Sequence, residues 1–353
     1  MITTLSKTEQ LKSLILKDIR KEIYQPGSSL PSIRQLCDRY GVSKHTASQA
    51  LSNLNEMGII ELLHGKITRI AANPFRKQIE IIYVGNTPIE QQEFWSEFYR
   101  GIVDEFQANP EFKFVLRSIT VHGGTGAIKR LDIANTAGIL VLGSASRERL
   151  DYLRQYAIPF VLLYDRVEED GISFVTADLR RSLTDMVALF KNRGCRRVAY
   201  IGAFAGQADE GINIDKMNYF KDALLAAGLP VDKVLFQNAE HKMPCGYETM
   251  KTLLATQERP DGLFVASDIL AVGAYRAMNE AGLRPGIDIA IAGCDNLEIG
   301  NYLTPSLTTI ELSRYRQGQL AAKRLMGNIN GEAKTEIREV LSAEIVIRES
   351  LTT

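Results

Sequence analysis

The sequence predicts an α/β protein in which two side-by-side lobes with parallel sheets follow a small α+β winged-helix unit. Three observations lead there. Residues 1–70 contain a helix, Gly-turn, helix pattern and two short apolar strands; residues 71–78 form a proline-bearing connector; from residue 79 onward apolar, β-branched runs alternate with segments of helical period. At 353 residues the chain exceeds one ordinary domain, and 45% apolar content without an unbroken apolar run near twenty residues predicts well-cored domains and no membrane span. The opening MITTLSKTEQ has no apolar core behind basic residues, so a signal peptide is not expected and a cytoplasmic location is. Cys37, Cys195, Cys245 and Cys294 lie far apart, in neither a metal-ligand spacing nor a disulfide framework, and read as buried thiols.

Taken in order, Lys7 to Ile23 is amphipathic, with Leu11, Leu14, Ile15, Ile19 and Ile23 as its stripe. Ser32 to Tyr40 makes a second helix that buries Ile33 and Leu36; Gly41 supplies a turn and Val42 fills the angle. Ser43 caps a third helix whose Ala47, Ala50, Leu51 and Leu54 face inward at the helical period. That leaves Lys44, His45, Thr46, Ser48 and Gln49 outward. They are short polar or cationic groups with few acids, the composition with which a helix N-terminus meets phosphates and base edges in a major groove. Ile59 to Leu62 and Ile67 to Ile70 read as two strands around a His64-Gly65-Lys66 turn, the wing. Up to Lys77 there are twelve Lys/Arg against six Asp/Glu, leaving thirty against thirty-six in the rest of a chain of zero net charge. That asymmetry suits phosphate neutralisation and predicts salt-sensitive binding to duplex DNA.

LPSIRQL, GVSKHTASQAL, LNEMGIIE and HGK closely resemble, in this order, the DNA-binding domain of the gluconate-repressor (GntR) family, over about the first seventy residues. The resemblance implies DNA contacts from Arg34, Ser43, Lys44, Thr46, His64, Gly65 and Lys66. Ser48 stands where that family usually carries a base-reading Arg, and Ile67 replaces a wing Gly, so relatives' operators do not transfer.

In the connector, Pro74 has no amide hydrogen and restricts Asn73, which predicts extended chain. Beyond it, strands are expected at 79–85, 113–119, 138–144, 160–166, 197–203, 234–239, 262–268 and 287–295. Helices are expected at 93–108, 179–193, 215–227, 246–255, 270–281 and 314–327. Strands buried on both faces and separated by helices mean parallel sheets, and there are too many for one small sheet and no eightfold regularity to close a barrel. The expected division is lobe 1 at about 79–177 and 308–325 and lobe 2 at about 178–307 and 326–353.

Ligands of such sheets bind off the carboxyl ends of the strands. Those ends present Asn86, Tyr164-Asp165-Arg166, Ser267-Asp268 and Asp295-Asn296, a set able to trade paired hydrogen bonds with several hydroxyls, while Phe94 and Trp95 offer an apolar platform for a sugar ring. Asp268 also fits a cap on the helix beginning at Ile269, Asp165-Arg166 a structural ion pair, and Phe94 and Trp95 plain core.

FVLLYDR, NRGCRRVAYIG, the segment from RPDGLFVASD to AIAGCDN, and PSLTTIELSRYRQGQLAAKRL resemble the effector domain of the lac-repressor (LacI) family and the related type I periplasmic sugar-binding proteins, over roughly Ile79 to Ser350. The resemblance implies ligand contacts from Phe94 and Trp95, seven residues before Gly101, and from Asp165, Arg166, Ser267, Asp268 and Asp295, with Lys216 where Arg is usual and Leu312 where Gln is usual. Those departures imply a pocket less polar in one corner, suited to a monosaccharide with an apolar edge, such as L-fucose, or to a pentose such as L-arabinose.

No G-x-S-x-G elbow, no phosphate loop ending in Lys-Ser/Thr and no metal spacing among His45, His64, His122 and His241 is present in the sequence, and His122 to Gly126 reads as a flexible loop. The expectation is a transcription factor and not an enzyme, without cofactor or membrane partner. As a homodimer it would hold a palindromic operator and release it on binding sugar. An activator of the same architecture, a non-sugar effector, and a winged helix used for protein contacts stay open at this point.

Overall fold

The computed structural model describes residues 6–63, 67–71, 78–84, 89, 93–110, 112–119, 136–143, 147–155, 158–167, 169–204, 212–332 and 336–352. His64, Gly65, Lys66, Asn86, His122 and most of the connector lie outside these residues.

The N-terminal unit starts with α1 (Lys7–Arg20), capped by the Ser6 hydroxyl. Helix α2 (Ile33–Tyr40) opens on a capping box between Ser32 and Gln35 and stops at Gly41, whose φ of 66° is the left-handed conformation a side chain would resist. Ser43 then accepts from the Thr46 amide to cap α3 (Lys44–Glu56). Strands β1 (Ile60–Leu63) and β2 (Ile67–Ile70) pair antiparallel as the wing. Leu11, Ile15, Leu16, Ile19, Leu36, Ala47, Ala50, Leu51, Leu54 and Ile59 form one core. The first helix is shorter than its periodicity suggested. It ends at Arg20, Glu22 turns at φ 57°, and Leu14 and Ile23, expected in the stripe, are 43% and 51% exposed, while Leu16 takes the inward place. Ile33 is half-buried where full burial was expected.

Lobe 1 is a six-stranded parallel sheet, spatial order β13-β7-β6-β5-β3-β4. Its strands are β3 (Gln78–Val84), β4 (Lys113–Ile119), β5 (Thr136–Leu142), β6 (Phe160–Leu163), β7 (Ser173–Asp178) and β13 (Arg338–Ser342). Alternation along β3 sends Ile79, Ile81 and Tyr83 to the core under α4 (Glu93–Ala108), and Ile82 and Val84 to a second core with α5 (Arg147–Gln155). Lobe 2 has the parallel order β11-β10-β8-β9, from β8 (Val198–Phe204), β9 (Phe236–Glu240), β10 (Gly262–Val265) and β11 (Ala290–Ala292). Around it lie α6 (Leu179–Asn192), α7 (Ile212–Ala226), α8 (Met243–Leu254), α9 (Asp268–Glu280) and α10 (Ile299–Tyr302). A two-stranded antiparallel pair, β12 (Thr309–Glu311) with β14 (Glu344–Val346), lies at the crossings, and α11 (Arg314–Asn330) returns to lobe 1.

The C-terminal division differs from expectation. All of α11 packs on lobe 1, and β13 adds the edge strand beside β7, so the chain stays in lobe 1 through Ser342 instead of leaving near 326. Beyond β14 the chain is in lobe 2, where the Ser350 hydroxyl donates to the Ile291 carbonyl.

Helices α4 and α11 approach closely because Gly101 faces the Tyr315 carbonyl and Gly318 faces the Phe98 carbonyl; a methyl group at either position would overlap that oxygen. Gly318→Ala should therefore cost about 1–3 kcal/mol. The expected result is a lower urea midpoint, followed by the fluorescence of Trp95, the single tryptophan of the chain.

Candidate functional site

Two sites emerge. On the N-terminal unit, α2 and α3 carry no acid in their first turns, so the positive helix ends are uncompensated. Ser43 Oγ lies 3.1 Å from the Thr46 amide and 2.8 Å from Thr46 Oγ1, which fixes both hydroxyls at the start of α3. Lys44, His45, Ser48 and Gln49 are exposed, Thr46 is half-buried, and Gln49 Nε2 donates to Asn53 Oδ1 over 3.3 Å. Arg34 is exposed at the start of α2 and, like Lys44, makes no ion pair among the described residues. By contrast Lys12 and Arg39, away from this face, are paired with Glu9 and Asp18. Strand β2 adds exposed Arg69, which sequence reading passed over because the turn residues next to it drew the attention.

The second site is the cleft between the lobes. Strand ends meet it under backbone strain: among the described residues five non-glycines have positive φ, and Tyr164 (75°), Asp295 (110°), Asn296 (48°) and Ser313 (54°) sit at strand ends or at a lobe crossing. On the lobe 1 side, Phe94 meets Trp95 edge-on with centroids 4.8 Å apart, and Tyr164 stands edge-on to both at 5.1 and 5.6 Å. On the lobe 2 side lie Lys216, Ser267 and Asp295, only 1%, 1% and 3% exposed. Lys216 Nζ donates to the Ala266 carbonyl at 2.9 Å. Burial opposes its charge, but the surrounding Cys294, Tyr164, Asp295 and Tyr200 outweigh burial and hold its pKa well above the usual lysine value. Asp295 Oδ1 is buried without a hydrogen-bond partner among the described residues. His241, just past the carboxyl end of β9, lies 2.6 Å through Nε2 from Ser267 Oγ.

The two lobes touch through polar groups. Arg166, after β6, donates through Nε and Nη2 to Asp215 Oδ2 at 3.1 and 2.9 Å and through Nη2 to the Tyr219 hydroxyl, both on α7. Asp165 Oδ1 accepts from the Ile212 amide at 3.4 Å as well as from the Arg166 amide. Arg314 lies 5.3 Å over the Phe94 ring and donates to the Phe94 carbonyl of lobe 1 at 3.3 Å and the Asn296 carbonyl of lobe 2 at 3.4 Å.

Of the expected ligand residues, the structure brings Phe94, Trp95, Asp165, Arg166, Lys216, Ser267 and Asp295 to this cleft. Two readings change. Asp268 is fully buried, and its oxygens accept from the Leu297 amide and the Thr309 hydroxyl, each at 2.8 Å, so it braces the loop that carries Asp295 instead of facing a ligand. Burial, with Asp295 beside it, raises its pKa well above the ordinary aspartate value. Arg166 pairs with Asp215 of the other lobe. Leu312 is buried in the apolar core. Sequence reading named Tyr164 at a strand end but missed its part as a ring wall, and it missed Arg314, Asp215, Tyr219 and His241; of these four, His241, at a strand's carboxyl end, carried a usable signal.

The profile of the gntR family of bacterial regulatory proteins matches residues 7–70, and that of the periplasmic binding protein-like domain matches residues 187–351. The chain is 25% identical over 343 residues to the HTH-type transcriptional regulator CelR of Thermobifida fusca, across 91% of this chain and 98% of that one. It is 27% identical over 328 residues to the HTH-type transcriptional regulator GntR of Escherichia coli (strain K12), across 86% and 94%. A solved transcriptional regulator CelR-cellobiose complex has the same fold, with a TM-score of 0.70 at 21% identity, covering 91% of this chain and 100% of that one. The chain is thus a DNA-binding transcriptional regulator that joins a helix-turn-helix domain of the bacterial gntR family to a periplasmic-binding-protein-like domain.

Proposed function

We propose that this regulator represses a carbohydrate-utilisation operon as a homodimer on a palindromic operator, and that a neutral monosaccharide bound between the lobes releases it. The observation that carries the proposal is the cleft's division into an aromatic wall, Phe94, Trp95 and Tyr164, and a polar wall in which the buried Asp295 carboxylate has an unused oxygen beside Lys216. A carbohydrate has both surfaces, a C–H face for rings and hydroxyls for paired acceptors and donors. Charges in and around the cleft favour a neutral ligand. Lys216, Arg166 and Arg314 stand against Asp165, Asp215 and Asp295, and burial disfavours a further negative charge on Asp268. The cellobiose bound to the CelR neighbour agrees with a saccharide of some kind. Calorimetry with L-fucose, L-arabinose, ribose and galactose tests the reading, and failure of every neutral sugar to bind would sink it. Effector-dependent gel shifts give the sign: release supports repression, and tightening would mean activation.

DNA affinity should come from the unpaired cations of the N-terminal unit. On a duplex selected by the full chain from randomised oligonucleotides, Lys44→Ala or Arg34→Ala should weaken binding by about 1–2 kcal/mol and lower the slope of log K against log salt by about 1. An unchanged slope for both would remove them from the interface.

Signal transfer has a candidate contact. Arg20, the last residue of α1, donates through Nη2 to the carbonyl of Thr136, the first residue of β5, at 2.9 Å. Burial lowers its pKa to about 9, which leaves it cationic at neutral pH. Lobe 1 movement is then conveyed by placement of the whole N-terminal unit. Effector coupling of roughly 1–3 kcal/mol is typical. Arg20→Ala should retain most DNA affinity but lose most of that coupling, measured as the ratio of operator Kd with and without sugar by fluorescence anisotropy. Full coupling in the variant would refute the route.

A further inference from the structure

His241 belongs to no role assigned so far. It lies between β9 and α8 as an exposed residue, yet enough protein surrounds its imidazole to lower its pKa. Its Nε2 is held 2.6 Å from Ser267 Oγ, and its Nδ1 makes no hydrogen bond among the described residues. Asp295 and Lys216 are near enough to act on its charge in opposite directions, Asp295 favouring the proton and Lys216 opposing it. Its chain neighbours Glu240 and Lys242 are paired with each other at 2.5 Å, and Asp268, next to Ser267, has its pKa raised by burial and both oxygens engaged by Leu297 and Thr309.

We infer that His241 is a specificity-determining residue of the cleft: Ser267 fixes the neutral imidazole so that Nδ1 hydrogen-bonds a hydroxyl of the effector, and effector capture weakens when the ring takes up a proton. The inference rests on the reading that the cleft holds a neutral saccharide. A neutral imidazole has one donor and one acceptor. Whichever of these Ser267 occupies, the other remains for a hydroxyl, which can serve as either. A protonated ring can only donate. It would also add an uncompensated cation beside Lys216, whose charge Asp295 already balances.

The sign of the pH dependence follows. Enclosure by protein, the largest influence, lowers the His241 pKa below the ordinary 6.5, with Asp295 opposing and Lys216 adding to the effect. Closing the lobes on a ligand takes more water from the ring and lowers it further. A group whose pKa is lower in the complex makes affinity full above the free-state pKa and lets it fall as pH drops through that value. The expected loss between pH 7.5 and 5.5 is up to about tenfold, the bound set by the ordinary imidazole value.

The test is calorimetry on the full chain with L-fucose, L-arabinose, ribose and galactose at pH 7.5, 6.5 and 5.5, with Trp95 fluorescence as a second readout. It is repeated with His241→Asn, whose amide takes the place of Nδ1 without titrating, and urea unfolding checks that the variant folds. The expected result is that a sugar bound by the wild type loses affinity in acid by that factor, while His241→Asn binds it with reduced affinity that is flat in pH. A bound sugar with flat wild-type affinity, tighter binding in acid, or the same acid loss in His241→Asn overturns the role of His241 and leaves the saccharide reading standing. If no sugar binds at any pH, the saccharide reading falls and this inference falls with it.

Discussion

The arrangement depends on polar groups that neither lobe satisfies alone. Arg166 needs Asp215 and Tyr219 of α7, the Ile212 amide needs Asp165, and Arg314 divides its hydrogen bonds between the Phe94 and Asn296 carbonyls. Of these links the Arg166–Asp215 pair is partly wet, its side chains 27% and 32% exposed, whereas Asp165 and Arg314 are buried. Pairs of that kind contribute little net stability, since opening the lobes returns each ion to water. A small ligand can shift a conformational equilibrium only where the two arrangements are close in free energy, and a partly wet ion pair adds little to hold the lobes in one of them. An apolar junction of the same area would be far harder to bias.

Loop strain is maintained by groups that have already met their own needs. Asp268 uses one oxygen on the Leu297 amide and the other on the Thr309 hydroxyl, and its own amide donates to the Cys294 carbonyl at 2.9 Å. The chain between Cys294 and Leu297 is thereby held at both ends, and Asp295 and Asn296 stay at positive φ. This fixed loop keeps the Asp295 carboxylate buried with an oxygen unused. A free loop would turn that oxygen to water, because an unpaired buried acceptor costs about 1–3 kcal/mol or more for a charged group.

Much of the fold was legible because its signals are local. The caps of α2 and α3, the left-handed Gly41 and the inward period of Ala47, Ala50, Leu51 and Leu54 are written within a few residues of one another. Strands β3 and β5 are buried at almost every position and read as apolar runs. The misses have a common cause. Strand β13 is an edge strand whose residues alternate between exposed and half-buried, so its polar REVLS lacks the run that marks a central strand, and its place was set by pairing with β7 across 164 positions. Strand β7 was absent from the expected set because its Ser, Thr and Asp interrupt the apolar run. Of the cleft residues, Phe94, Trp95, Asp165, Lys216 and Asp295 were found through strand ends and a family pattern. Arg314 was not, because its role exists only when Phe94, 220 residues away, is folded beneath it.

The same separation bears on how the two sites communicate. The cleft lies at the carboxyl ends of the lobe 1 strands, whereas Thr136, which receives the Arg20 hydrogen bond, is the first residue of β5 and so lies at the opposite end of the sheet. Strand β5 is buried along its length between β3 and β6, and a close-packed sheet of this kind moves as a body instead of deforming. Under the proposed function, a ligand that rotated lobe 1 against lobe 2 would displace the end of β5, and the N-terminal unit with it, by a lever and not by a chain of altered contacts through the sheet. Two recognition units in one oligomer reach two half-sites only at a fixed separation. A lever that changes their separation can abolish simultaneous contact while leaving each α3 intact.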